Sequence, residues 1–351
     1  MLIGARVLLT GATGRLGRCV VAELARADCD LVLVVRASSQ DAARERIRQA
    51  VPHGVSAGQL TVVCGDVTVP GFGLGVREQR RLRASVDAIL HAAASTSFSL
   101  PLEEARATNV AATRNVLDFA ERTPRLRRLA HVSTAFVAGR RTGRMLEREL
   151  EHDHGFLNSY QQSKHEAELL VASRRDSLPL VVFRPSIVLD GPGSTQRRSA
   201  FRFAFELVRR GLMQALPGSG ATPVDLVTEA DAARAIARLL FATDVDGTYH
   251  VAGGDLAPRL GEIVDGFDVR YLSEEQFAWE LSKWRHERPR LAPVYDELES
   301  FIYELAYPKV FDTSRCEDAL GEPVPRQDAL ASLLDVEESV PAGVRAGATT
   351  R

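Results

Sequence analysis

The stretch "ARVLLTGATGRLGRCVVAELARA" occupies residues 5–27, and how it reads decides the fold. Residues 5–10, "ARVLLT", form a short apolar run of buried-strand length, whereas Leu16, Val20 and Leu24 recur at helical spacing. Gly11, Gly14 and Gly17 lie between them in a Gly-x-x-Gly-x-x-Gly spacing. A glycine-rich string alone is a weak signal, but one that ends a strand and opens a helix is a phosphate loop in register. Gly11 can turn the chain, Gly14 lets the backbone approach a pyrophosphate, and Gly17 permits close helix–strand packing. The helix start adds free N–H groups and a positive dipole end. Thr10, Gly11, Thr13, Gly14, Arg15, Leu16 and Gly17 are therefore candidate dinucleotide contacts.

Outward from this loop the alternation continues. Strands are expected at 30–36, 59–67, 85–94, 126–134 and 178–186, with helices at 15–27, 40–50, 102–122 and 156–175. "DLVLVVR" (30–36) is too apolar to have a wet face, as a central parallel strand should be. Regular strand–helix alternation predicts an α/β, Rossmann-like doubly wound parallel sheet with helices on both faces. After residue 190 the rhythm changes. A turn-rich connection (191–199) leads to a helix near 200–211, a strand and helix within 224–242, a strand at 247–254, and helical patterns at 273–287 and 294–306. The expected organisation is a dinucleotide-binding domain over 1–190 and a small, mainly helical substrate lobe over 191–335 whose strands return to the sheet. The tail 336–351 has no core-forming pattern and is expected to be flexible.

A near-neutral net charge of −2 over 351 residues argues against a nucleic-acid surface. No apolar run approaches the roughly 20 residues of a membrane span, and the first residues lack the pattern of a signal peptide. Cys19, Cys29, Cys64 and Cys316 fit no metal or redox spacing, so reduced thiols and a cytoplasmic location are expected. Monomer and homodimer both fit.

Two further places carry chemistry. The second strand ends in Val35–Arg36 without a carboxylate, and Arg15, Arg44 and Arg46 lie near it in sequence. A carboxylate there would take the ribose 2′-OH of NAD, whereas arginine accommodates a 2′-phosphate, so NADP(H) is the expected cofactor. Asp66, ending the third strand beside Val67, is placed to hydrogen-bond the adenine, with capping a turn as the alternative. Tyr160 and Lys164 are four residues apart in "NSYQQSK" and leave one helix face. A phenol ordinarily titrates near pH ~10; a neighbouring ammonium should lower that value and fit Tyr160 for proton transfer. The preceding strand ends in "HVSTAF", which puts a hydroxyl, Thr134 or Ser133, at the same sheet edge.

Gly11/Gly14/Gly17, "HAAA" (91–94), Asn109, "STAF" (133–136), Tyr160/Lys164 and "FRPSIV" (183–188) together resemble the extended short-chain dehydrogenase/reductase superfamily. "ILHAAASTSF", "NVAATRNVLDFA" and "VVFRPSIVLDGPGSTQ" look most like its thioester reductase and fatty acyl-CoA reductase branch, and the resemblance covers about residues 5–255. It implies an NADPH-dependent reductase that takes an acyl thioester, bound to coenzyme A or a carrier protein, to the aldehyde and possibly the alcohol. It also implies roles. Thr134 would bind the carbonyl, Tyr160 would donate the proton, Lys164 would hold the nicotinamide ribose, and Asn109 would support a proton relay. Ala92, Ala93, Pro185, Ser186 and Ile187 would line the cofactor, with Arg36, Arg46, Asp66 and Val67 at its adenosine end. Ser95, Phe98 and Phe136 would face the substrate. Residues 227–233, "VTEADAA", depart from that branch's V-P-V-D-Y-V-A and sit closer to other extended reductases.

Two alternatives therefore stand beside the main reading. One is a reductase, dehydratase or epimerase of a small ketone or nucleotide sugar; the other is a catalytically silent NADP-sensing protein. His152 and His154 lack further ligands at useful spacing, and no metal is expected. His91 and His131 read as packed rather than catalytic. Phe277, Trp279, Trp284 and Phe301 recur at helical spacing, favouring core packing over an acyl pocket.

Overall fold

The computed structural model describes residues 4–51, 54–190, 199–324 and 329–334. The expected turn-rich connection 191–199 and the flexible tail lie almost wholly or wholly outside them. The first half runs β1 (Arg6–Thr10), α1 (Arg15–Arg26), β2 (Asp30–Val35), α2 (Gln40–Ala50), β3 (Leu60–Cys64), α3 (Val76–Ser85), β4 (Ala88–His91), α4 (Leu102–Ala120) and β5 (Arg128–Val132). It continues with β6 (Gly143–Met145), α5 (Ser159–Ala172), β7 (Leu180–Pro185) and β8 (Ile187–Leu189). Then follow α6 (Ala200–Arg209), β9 (Ala215–Pro217), β10 (Leu226–Thr228), α7 (Glu229–Phe241), β11 (Gly247–Val251), α8 (Leu260–Ile263) and β12 (Arg270–Leu272). The last described elements are α9 (Glu274–Glu287), α10 (Ala292–Ile302), β13 (Lys309–Phe311), α11 (Ser314–Leu320) and α12 (Ala329–Leu334).

Seven strands form one sheet in the order β11-β7-β5-β4-β1-β2-β3, and every pairing in it is parallel. From β1 the chain steps outward to β2 and β3, then returns to β4 on the other side of β1. The carboxyl ends of β1 and β4 part at that reversal, the place where open α/β sheets bind ligands. All of β2 after Asp30 is buried, because α1, α2 and α7 cover one face of the sheet and α3, α4 and α5 the other. Asn158 starts α5 by accepting from the Gln161 N–H at 2.9 Å, so Tyr160 falls in the first turn, at the carboxyl edge of the sheet.

The strands stop short of their expected ends. β4 closes at His91 rather than 94, and β5 at Val132 rather than 134. In both cases the residues beyond leave the ladder to line a cleft, which apolar pattern alone does not register. The residues after 199 build a lobe with its own core, including Phe277, Trp284, Tyr295 and Leu298. Tyr295 is fully buried, its hydroxyl donating to the Leu212 carbonyl at 2.9 Å. Trp279 is not part of that core: it is 66% exposed, on the outer face of α9. Three strands tie the second half back to the first: β10 beside β8, β11 beside β7 and β13 beside β6.

Candidate active site

A cavity of about 620 Å³ opens between the sheet's carboxyl edge and the lobe. Its nucleotide end is backbone. Gly11 has a positive φ of 81°, and a β-carbon there would stand 2.6 Å from the Ala92 carbonyl carbon and the Ala93 nitrogen. A β-carbon on Gly17 would come within 2.0 Å of the Gly11 carbonyl oxygen, whereas one on Gly14 meets only that oxygen, at 3.2 Å. Gly11 and Gly17 therefore hold the loop tight, and Gly14 faces the cavity. Arg15, Leu16, Ala92, Pro185, Ser186 and Ile187 line the same space. Ser133 and Ser186 each present there a buried hydroxyl without a hydrogen-bond partner among the described residues. A glycine-bared loop, a helix start and orphaned hydroxyls fit a dinucleotide.

Thr134, Tyr160 and Lys164 meet in the middle of this cavity. The Thr134 hydroxyl accepts from the Phe136 N–H at 3.3 Å and is hydrogen-bonded to Tyr160. Burial pushes the Tyr160 phenol up to about 12, with the Thr134 bond pulling the other way. Lys164 is not among the groups that shift it, so the expected lowering does not occur: desolvation dominates, and the group stays a protonated donor. The Lys164 ammonium donates to the Val132 carbonyl at 2.8 Å and approaches His131 Nε2 at 3.5 Å. Burial brings Lys164 down to about 8, against the attraction of Glu168.

Asn109, expected among the catalytic groups, does not line the cavity. Its side chain accepts from the Ser95 N–H at 2.8 Å and donates to the Ser95 carbonyl at 3.2 Å and to Ser163 Oγ at 2.9 Å. It positions the 92–98 segment against α5 and touches no reacting group. Thr10 is also internal. The Ala93 N–H donates to its hydroxyl at 3.3 Å, which pairs with His91 Nδ1 at 2.7 Å. His91 Nε2 meets Thr113 Oγ1 at 3.2 Å, and Thr113 in turn donates to the Asn109 carbonyl at 2.7 Å. The phosphate loop and the α4 scaffold are thereby joined through one imidazole, which burial lowers to about 3.

Beyond the end of β2, Arg46 donates to the Arg36 carbonyl and, at 3.5 Å, to Thr13 Oγ1. Both arginines are exposed there. Arg15, expected beside them, turns the other way and pairs with Asp190 at 3.4 Å and Glu229 at 3.5 Å. Asp66 caps its own turn, taking the Thr68 N–H at 2.9 Å and the Thr68 hydroxyl at 2.7 Å on one oxygen. The Val67 carbonyl accepts from Asn115 at 2.9 Å, and Ala93 contributes its backbone as described. The unusual segment 227–233 is occupied locally. Thr228 caps α7 and bonds Asp231 at 2.9 Å, while Glu229 takes Arg18 at 2.6 Å.

The opposite end of the cavity is built of side chains. Ser95, Phe98 and Phe136 line it as expected. Phe98 stands edge-on to Tyr160, with ring centroids 5.6 Å apart, and stacks on Phe301 at 5.5 Å; Phe301 meets Phe201 at 6.2 Å. Phe301 is therefore a wall residue, while Phe277 and Trp284 belong to the core. Sequence reasoning missed Phe201, Phe203, Gln161 and Glu304, which also line the cavity. Glu304 is bound by Gln161 and, at 3.0 Å, by Lys309. No spacing in the chain pairs residues 161, 304 and 309, although the apolar face of α6 could have flagged the phenylalanines. His152 donates to the Val137 carbonyl at 2.8 Å. Among the described residues no cluster of three His, Cys, Asp or Glu side chains is arranged to hold a metal, and no helix is long and apolar enough to cross a membrane.

Comparison with known proteins adds to this geometry. The family described as male sterility protein matches residues 9–231. The fatty acyl-CoA reductase wat of Drosophila melanogaster is 29% identical over 220 residues, 52% of this chain and 43% of the fly protein. The isonitrile lipopeptide synthase of Mycobacterium tuberculosis is 34% identical over 207 residues, 52% of this chain and 8% of that protein. The chain thus spans less than half the length of either. Among solved structures, the terminal R domain of the myxalamid PKS-NRPS biosynthetic pathway matches with a TM-score of 0.79. Its identity is 30%, over 94% of this chain and 89% of the R-domain chain.

Proposed function

This chain belongs to the male sterility protein family, and from that membership we propose that it reduces an acyl thioester to the aldehyde. The observation that carries the reading is the convergence of Thr134, Tyr160 and Lys164 in one cavity with a glycine loop at one end and an aromatic wall at the other. When bound, the dinucleotide supplies a hydride to the thioester carbon. Tyr160 gives its phenolic proton to the carbonyl oxygen, and Thr134 holds that oxygen as a second donor. Lys164 binds the nicotinamide ribose and keeps a positive charge beside the phenolate left behind. The tetrahedral adduct then loses its thiol, the sulfur taking a proton as the carbonyl re-forms, and the aldehyde leaves. A second round on the aldehyde would give the alcohol.

NADPH is the proposed cofactor, because Arg46 reaches Thr13 and the Arg36 carbonyl, Arg36 is exposed at the end of β2, and β2 ends without a carboxylate. Asp66 and Val67 are proposed at the adenine. The thioester is proposed to arrive on coenzyme A or on an acyl or peptidyl carrier protein, as the R-domain likeness suggests. Four free cysteines fit a reducing compartment, the cytoplasm.

The test is to incubate the protein with NADPH and either acyl-CoA or a carrier-bound acyl thioester, following cofactor oxidation and product mass. Aldehyde or alcohol is expected, and Tyr160→Phe should cut turnover by roughly 10²–10⁴ with NADPH binding nearly intact. Turnover confined to ketones or nucleotide sugars would replace the reading, as would nucleotide binding with no turnover of any substrate.

A further inference from the structure

His131 lies one residue before the end of β5, only 1% exposed, and the chemistry above does not use it. Its ring faces Lys164 on α5 and stands 5.4 Å, centroid to centroid, from His91 on β4. The ammonium of Lys164 has three hydrogens to place. One goes to the Val132 carbonyl at 2.8 Å and one points at His131 Nε2 at 3.5 Å. The third is left for the cavity, which Lys164 lines. Accepting at Nε2 requires the proton to sit on Nδ1, and Nδ1 is buried with no hydrogen-bond partner among the described residues. An imidazole in this place carries an unsatisfied polar group that leucine, of similar size, would not.

We propose that His131 is a positioning residue for Lys164: a neutral imidazole that fixes the ammonium's direction and supports its charge, at the expense of fold stability. The inference rests on the proposed reductase reading for the partner of Lys164, the nicotinamide ribose. The groups facing the imidazole are few. From α5 come Lys164 and, one turn on, Glu168, which is tied to Arg184 of β7 at 2.5 Å; from β4 comes His91. Burial and the Lys164 charge keep His131 far below the ordinary histidine range, which favours the neutral ring that can accept at Nε2. Glu168 assists Lys164 by charge, and His131 assists it by direction.

The experiment compares His131→Leu and His131→Asn with the parent protein. Three quantities are read: the thermal midpoint, the pH dependence of NADPH affinity, and the Lys164 ammonium titration by nitrogen-15 NMR in the nucleotide-free protein. In the parent, NADPH affinity should fall as pH rises through about 8, where Lys164 loses its proton. In His131→Leu that inflection should move down by about one pH unit, weakening NADPH about fivefold at pH 8, while the protein melts no earlier than the parent. Asparagine, whose amide oxygen can accept, should restore the inflection. An unchanged Lys164 titration in His131→Leu would overturn the proposal, whether or not the variant melted earlier. A parent that shows the expected NADPH profile yet reduces no thioester would remove the substrate assignment alone and leave the role of His131 standing.

Discussion

The two ends of the cavity are made of different material. The nucleotide end is main chain: a loop whose carbonyls and N–H groups approach so closely that Gly11 and Gly17 have no room for a β-carbon. The opposite end is side chain: Phe98, Phe301 and Phe201 in a ladder that reaches Tyr160. Main chain has one shape to offer, so residue identity there is tightly restricted. Side-chain walls can be rebuilt in many ways around the same volume. On the proposed reading the main-chain end takes the dinucleotide and the side-chain end the acyl group, and the division of material follows that division of labour.

The contrast can be broken or sharpened by substitution. Gly17→Ala should have the largest effect, since its methyl would stand 2.0 Å from the Gly11 carbonyl oxygen. A loss of about 2–4 kcal/mol in denaturant unfolding is expected, together with loss of NADPH binding. A wild-type unfolding midpoint would mean that the loop is more yielding than its contacts imply. Phe301→Ala should act at the other end alone, lowering kcat/KM for long apolar acyl thioesters about tenfold and leaving NADPH titrations unchanged. Equal losses in both measurements would join the two ends into one unit. Trp279→Ser, outside the cavity, should shift stability by no more than about 0.5 kcal/mol. A larger change would show that the exposed indole has a role the lobe does not reveal.

The same contrast explains what the sequence could disclose. The phosphate loop, the order of strands and helices, and the placement of Thr134, Tyr160 and Lys164 were legible because each is tied to a local pattern. These patterns are glycines at a strand–helix junction, an i, i+4 pair, and a hydroxyl ending an apolar run. Asn109 was legible as a residue beside the site, but its amide's bonds to Ser95 and Ser163 depend on tertiary contacts that no local pattern encodes. Arg15 was placed by proximity in sequence, whereas Asp190 and Glu229 draw it to the other side of the loop. Phe301 and Trp279 share a helical rhythm with core residues, and the period of a helix does not say which face meets a cavity. Glu304 was invisible because its partners Gln161 and Lys309 are brought to it only by the lobe's tertiary path.

One feature of the sheet bears on how the molecule comes into being. β11 pairs with β7, yet β8, α6, β9, β10 and α7 intervene in the chain between them. During synthesis, β7 therefore waits with a row of unpaired backbone groups until Val251 has left the ribosome. An open edge on a twisted apolar sheet is a template for pairing with other chains, and closing it demands contacts distant in sequence, which slows folding. The nascent chain is thus most exposed to aggregation while residues 187–251 are being made.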